Sequence, residues 1–414
     1  MQMQRNYFWY QIYYSPMYLT KEEERIYEGE EGWTKKKAME ILVAIGDINH
    51  ASELIPIKSA HVSGVSYKTI GDAFEFVNRL EGRVKVESTL NPIGMDIEKW
   101  SEMGISKEFA NKQKEVLAAY KKLGISAECT CIPYLIGHAP KKGEHLAWAE
   151  SSAVLYANSV LSAKTNMEGA PSALATALIG KTPFYGLHQL ENRKPGIRVC
   201  VKCDLADADF SALGFLIGNQ VGDKIPLIEF FSPASLPSKE ELKHLSAAIG
   251  ATGSVGMYHI KGLTPEAGVK ADVMKSKRSE EKIEIERKDV EDFYIENNEP
   301  DVIAMGCPHC SALELTRIYE LLRAESKGRK VKTDFFIFTA RAIAQSVQTQ
   351  QIVKKIENYG VKVICDTCFV VSPAFENYDC VLTNSGKMLR YVPLLCGGAE
   401  VRLCKTEECV RKAF

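Results

Sequence analysis

The sequence lacks a long apolar run: nothing in it approaches the ~20 consecutive apolar residues that a membrane-spanning helix requires. It also lacks an excess of either charge, with 52 Lys and Arg against 53 Asp and Glu. Gripping nucleic acid through phosphate neutralisation needs a basic excess, so that class is excluded. A basic-then-apolar secretory leader is missing, as are a GxxxxGK[ST] phosphate loop, internal repeats and low-complexity tracts. The 414 residues, 45% apolar and 25% charged, lead us to expect a cytoplasmic globular protein of two or three domains.

Cysteine, by contrast, is abundant. Of twelve, eight fall in close pairs: Cys129-x-Cys131, Cys200-x-x-Cys203, Cys307-x-x-Cys310 and Cys365-x-x-Cys368. Cys380, Cys396, Cys404 and Cys409 follow. A chain this long buries a core without staples, so the pairs point to metal, cluster or redox chemistry rather than structural disulfides. Each cysteine taken singly is also a small buried hydrophobe. On spacing alone, zinc, an iron–sulfur cluster and no metal at all stay open.

Residues 1–16, MQMQRNYFWYQIYYSP, show no helical or strand pattern and are expected to be a non-native extension before a start at Met17. Residues 17–60 read as an N-terminal helical segment, with Thr20 capping a helix that carries Glu22 to Glu24 in its first turn. From there short apolar strands alternate with helices, the grammar of an α/β fold with parallel strands. Strands are predicted at 85–88, 126–131 and 152–156, with helices at 107–123 and 172–179. The charged stretch 272–292 is expected to be a surface helix or connection. The pattern then restarts, with strands at 302–305, 333–338, 362–364 and 381–382 and helices at 312–324, 341–346 and 351–358. We therefore divide the chain into an α/β domain at 61–290 and a second at 291–414.

Three strands end in cysteine-containing loops, AECTCIPYL (127–135), IAMGCPHCSALE (303–314) and VICDTCFVV (363–371). Ligands gather beyond the carboxyl ends of strands in open α/β sheets, so these loops offer one converging thiolate each. A helix starting at Ser311 would favour the thiolate of Cys307. The competing arrangement closes Cys307, Cys310, Cys365 and Cys368 on one zinc, which suits a zinc-stabilised binding or scaffold protein. HVSGVSYKTIGDA (61–73) and STLNPIGMD (88–96) are loops of special backbone geometry able to hold an anion. The run 148–180 carries Glu150, Ser151, Asn158, Ser159, Lys164, Thr165, Asn166 and Glu168, a hydrogen-bonding density that suits a polar pocket. His188 in YGLH stands alone, and LTNSGKMLRYVP (382–393) adds Asn384, Ser385 and Lys387.

Taken together, HVSGVSYKTIGDA, TLNPIGMD, CTCIPYL, AESSAVLYANSVLSAKTN, YGLH, MGCPHCS, DTCFVV and TNSGK resemble the aconitase X family, from about Met17 to Tyr391. The resemblance implies a hydro-lyase with an aconitase-like multi-domain α/β/α assembly around a central iron–sulfur site. By motif position, Cys131, Cys307 and Cys368 would hold the cluster, two of them from the second α/β domain. The centre would be 4Fe–4S first, with 2Fe–2S or a single iron as other forms the family carries. Gly64, Val65, Ser66, Asn91, Pro92, Glu150, Ser151 and Lys387 would bind the substrate, Ser66 and Lys387 being the catalytic candidates. The archaeal two-chain type implies dehydration of (R)-5-phosphomevalonate to trans-anhydromevalonate 5-phosphate, a step of isoprenoid synthesis by a mevalonate route. Bacterial relatives dehydrate cis-3-hydroxy-L-proline. The implied partner is a small subunit carrying the swivelling domain and a catalytic serine, giving a heterodimer. The substrate class is a small anionic hydroxy acid. No role is implied for Cys396, Cys404 or Cys409.

Overall fold

In the structure, a computed structural model, residues 16–232, 235–267, 282–294 and 299–414 are described. The expected extension at 1–16 lies outside these apart from Pro16. Helix α1 (Lys21–Glu28) starts as its Thr-x-x-Glu spacing dictates: the Glu23 N–H donates to the Thr20 hydroxyl and the Thr20 N–H to the Glu23 carboxylate. Helix α2 (Trp33–Ile48) and strands β1 (Leu54–Pro56), β2 (Ser59–Val62) and β3 (Glu87–Leu90) follow. Next come α3 (Lys107–Lys122), β4 (Leu146–Trp148), α4 (Ser151–Ser159), α5 (Ala170–Ile179) and β5 (Lys181–Pro183). Strands β3, β2 and β4 pair in that order as a parallel sheet, and β1 pairs antiparallel with β5.

A second parallel sheet is built from β6 (Ile197–Val201), β7 (Pro226–Phe230), β8 (His259–Ile260) and β9 (Lys282–Ile285), in the order β8-β7-β6-β9. Its crossover helices are α6 (Asp209–Val221) and α7 (Lys239–Thr252). The third sheet orders its strands β12-β11-β10-β13-β14. These are β10 (Val302–Cys310), β11 (Asp334–Thr339), β12 (Lys362–Cys365), β13 (Cys380–Thr383) and β14 (Glu400–Leu403). They alternate with α8 (Ala312–Glu325), α9 (Gln350–Glu357) and α10 (Gly386–Leu395). Every residue of β10 is buried, as a central parallel strand covered on both faces must be. The α/β class with parallel sheets is what the alternation predicts, and the stretch 59–285 holds two such sheets.

Three expected elements differ. The strand expected at 152–156 is part of helix α4, all of whose residues from Ser152 to Ser159 are buried. A helix buried on every side has no polar stripe, so its period cannot be told from a buried strand. The strand at 126–131 shrinks to one bridge, Leu90 with Cys129. The charged stretch 272–292 is no single surface helix: Lys282–Ile285 is an edge strand paired with β6 and Arg287–Glu291 a short helix, while 272–281 lie outside the described residues.

Winding decides where the site falls. The chain runs from β10 out through β11 to β12, then returns to place β13 on the other flank of β10. The first sheet does the same around β2, with β3 on one side and β4 on the other. Crevices open at the carboxyl ends of strands where winding reverses. Here the two crevices face each other and are tied together: the Ile93 N–H donates to the Asp366 carbonyl at 2.8 Å, and the Cys365 N–H to the Asp96 carboxylate at 2.8 Å. Arg341 binds Asp96 at 2.6 Å and Asp366 at 2.5 Å, both aspartates being buried. Replacing Arg341 by Met leaves two buried carboxylates facing each other, so we expect a loss of about 3 kcal/mol. A urea midpoint unchanged from wild type would show that this network does not join the two sheets.

Candidate active site

Gly306 makes the local geometry of the GCPHC loop possible. Its φ of 97° is in the left-handed region, and a Cβ there would fall onto the Phe338 carbonyl of β11. The register of β10 against β11 shifts between Met305 and Cys310, so Cys307 leaves the ladder toward the crevice, preceding a cis peptide bond to Pro308. Ser311 caps α8, its hydroxyl accepting from Glu314 N–H at 3.2 Å, as expected.

A cavity of about 260 Å³ lies between the two sets of strand ends. From the first sheet it is lined by Asn91, Pro92, Cys131, Glu150 and Ser151; from the third, by Cys307, Cys368 and Lys387. All three expected thiols and five of the eight expected substrate residues thus share one wall-to-wall space. Gly64, Val65 and Ser66 are not among its lining. Gly64 lines a separate apolar cavity between α2 and α5, and Val65 is buried with its carbonyl taken by Gln113. The Ser66 hydroxyl is buried and donates to the Val371 carbonyl at 2.7 Å, behind the Cys368 loop. Lys68 grips the same loop through the Val370 and Ser372 carbonyls, and reaches the Leu395 carbonyl at the end of α10.

The other members of the Cys307 and Cys368 pairs lie elsewhere. Cys310 lines a different cavity beside Glu314, and Cys365 sits with Asp96 and Asp366. The four-cysteine zinc arrangement is therefore not assembled. No group of three or more His, Cys, Asp or Glu among the described residues closes on a point that would hold a single metal ion.

Glu150 and Lys387 form an ion pair across the cavity. Burial alone would raise the Glu150 carboxyl, but the Lys387 charge and the Ser152 hydroxyl and N–H bring it down to about 2. Burial would lower the Lys387 ammonium, but Glu150, Cys307 and Cys131 raise it above its ordinary value. The Asn91 amide donates to Glu150 at 3.1 Å while its carbonyl oxygen meets His61 Nε2 at 2.9 Å, and His61 Nδ1 meets the Thr89 hydroxyl at 2.7 Å. Burial holds His61 down at about 4, so it is a neutral prop. For Cys307 the helix start does not win. Burial pushes the thiol up to about 12 against the opposing pull of Lys387, because a desolvated thiolate without a metal costs more than a helix terminus returns. Cys131 and Cys368 are raised for the same reason.

Of the polar residues in the run 148–180, only Glu150 and Ser151 are in the described cavity lining. The Asn158 side chain is spent on the Thr165 backbone and on buried Arg193, the Thr165 hydroxyl on the Trp148 N–H and the Asn166 carbonyl, and Asn166 on the backbone at 185 and 187. His188 faces His145 at 2.9 Å, away from the site. Asn384 and Ser385 are structural as well, Ser385 donating to the Cys307 carbonyl. The residues not anticipated are His61, His309 and Tyr391; Tyr391 lines the cavity with Lys387 over its ring. His309 lies inside the GCPHC motif, which was a signal in plain view. Tyr391 was a helical aromatic with nothing to distinguish it.

Together these features define a parallel α/β protein with a sulfur-donor cleft at opposed winding reversals. Residues 16–191, 195–295 and 300–414 match the families described as Aconitase X first, second and third domain respectively. The chain is 52% identical over 400 residues to the phosphomevalonate dehydratase large subunit of Methanosarcina mazei, covering 96% of this chain and 97% of that one. It is 32% identical to a cis-3-hydroxy-L-proline dehydratase of Hypocrea jecorina, covering 92% of this chain and 66% of that one. The crystal structure of Thermococcus kodakaraensis aconitase X (holo-form) superposes with a TM-score of 0.87 at 44% identity, over 96% of this chain and all of the other. The chain belongs to the aconitase X family.

The ion pair sets a pH dependence. A carboxyl held near 2 against 4.5 when free contributes stability that is complete above about pH 4.5 and fades as pH falls toward 2. In Lys387→Met the sign inverts, because burial then raises Glu150. We expect a loss of about 3 kcal/mol at pH 7.5 that shrinks on acidification to pH 5. Urea midpoints at the two pH values check this, and an equal loss at both would contradict it.

Proposed function

We propose that this chain is the large subunit of a phosphomevalonate dehydratase, a hydro-lyase that removes water from (R)-5-phosphomevalonate to give trans-anhydromevalonate 5-phosphate. The observation that carries the reading is the meeting of Cys131, Cys307 and Cys368 with Lys387 and Glu150 in one cavity. Its support in sequence is the 52% identity to a protein of that name over nearly the whole chain, against 32% to a hydroxyproline dehydratase.

Three thiols spread around a cavity, without an imidazole or free carboxylate among them, suit an iron–sulfur centre, which Cys131, Cys307 and Cys368 would hold. With three protein ligands, a 4Fe–4S centre would keep one iron open, supplying a Lewis acid for the departing hydroxyl. The protein's own groups do the rest. Lys387, kept protonated by Glu150, meets the substrate's carboxylate and stabilises charge that develops beside it when the neighbouring proton leaves. Asn91, locked by His61, offers its amide to a fixed point of the cavity. Ser66 and Lys68 hold the loop bearing Cys368 from behind, which gives Ser66 a positioning role.

Among the described residues Glu150 is the one carboxylate in the lining, and a carboxyl near 2 is a weak base for taking a proton from carbon. We assign the proton acceptor to the small subunit, the partner that the relatives' large-subunit name implies. We expect the anaerobically purified large chain to convert phosphomevalonate only when the small chain is added, followed by mass spectrometry of the product. Full turnover by the large chain alone would contradict the two-chain reading. Turnover of cis-3-hydroxy-L-proline in place of phosphomevalonate would overturn the substrate. In the same assay, alanine at Cys131, Cys307 or Cys368 should each remove more than ~100-fold of activity, whereas alanine at Cys310 or Cys365 should leave iron content intact.

A further inference from the structure

His309 touches all three cysteine loops at once. It lies two residues beyond Cys307 on β10. Its backbone N–H donates to Cys131 Sγ at 3.2 Å, its Nδ1 meets the Thr130 hydroxyl at 3.0 Å, and its Nε2 lies 2.9 Å from the Thr367 carbonyl. Thr130 and Thr367 immediately precede Cys131 and Cys368 in the chain. The ring is wholly buried and both nitrogens are used. A carbonyl only accepts, so Nε2 carries the proton; Nδ1 of the neutral ring then accepts from Thr130, whose oxygen in turn receives the Ile132 N–H at 3.2 Å. The backbone at this point is also held, because the buried Lys243 ammonium donates to the His309 carbonyl at 2.7 Å and pairs with Glu314.

We infer that His309 is the positioning residue that sets the mutual spacing of Cys131, Cys307 and Cys368, so that three loops far apart in sequence present one preformed donor set. The inference rests on the proposal that these thiols hold an iron–sulfur centre. No other side chain among the described residues has hydrogen bonds to the loops of both Cys131 and Cys368 while residing in that of Cys307. A flat imidazole is well shaped for such a spacer, since its two nitrogens point outward from a rigid ring in fixed, divergent directions and hold two loops at a set separation.

Three variants of the full chain, reconstituted anaerobically with the small subunit, test this. His309→Leu removes both ring bonds, Thr130→Val removes one with little change of shape, and His309→Gln keeps a donor in reach of the Thr367 carbonyl. Iron and sulfide per chain, the rate of iron loss to a chelator and the electron paramagnetic resonance line shape are the readouts. We expect iron loss ~10-fold faster in His309→Leu, an intermediate rate and altered line shape in Thr130→Val, and partial recovery in His309→Gln. Should His309→Leu fail to fold, Thr130→Val decides the matter. Wild-type rates and line shapes in a loaded Thr130→Val and His309→Leu would overturn the inference alone. A wild type that takes up neither iron nor sulfide would overturn the cluster reading beneath it.

Discussion

Glu150 and Lys387 lie 237 residues apart and come from the carboxyl ends of different sheets, and neither can remain charged inside the protein without the other. Their pairing is the constraint on which the cleft depends. It requires the end of β4 and the start of α10 to approach, which is possible because Gly386 brings the first turn of α10 against the Ser211 carbonyl and Ala248. A side chain at 386 would push Lys387 away from Glu150. Once the pair is made, the rest of the cavity wall follows. Asn91 is aimed by Glu150 on one side and His61 on the other, and Lys387 stands over Tyr391 beside the thiols.

The same pair explains a division of labour. A carboxylate stabilised by a buried ammonium is a good electrostatic partner and a poor base, so Glu150 suits charge stabilisation rather than proton abstraction. The three thiols add sulfur donors in buried surroundings that favour the protonated form. Around them, Arg341 on one flank and Lys68 on the other fasten the Cys368 loop to the first sheet and to α10.

Much of this was legible in the residues. The parallel α/β class follows from the alternation of apolar strands and capped helices, and Thr20 and Ser311 cap where their spacing says they should. The loops bearing Cys307 and Cys368 were recognisable as lying at strand ends, where ligands gather in wound sheets, whereas Cys131 follows a single bridge rather than the expected strand. What escaped the sequence had identifiable causes. Helix α4 is buried on all sides, so no stripe marked it. Asn158, Thr165 and Asn166 carry the polar atoms of a pocket but spend them on Arg193 and on backbone. The bonds of His61 and His309 join segments dozens to hundreds of residues apart, and no local pattern announces such a tie. The Cys307 environment was misread because helix termini act weakly against the burial of a charge.

The central claim is that one thiol from each of three loops holds an iron–sulfur centre in this cleft. Its most direct test is the iron, acid-labile sulfide and zinc content of the anaerobically purified chain, measured with its visible spectrum. Iron accompanied by sulfide, with a broad absorbance near roughly 400 nm, is the result the account predicts. Zinc without sulfide in a colourless protein would contradict it.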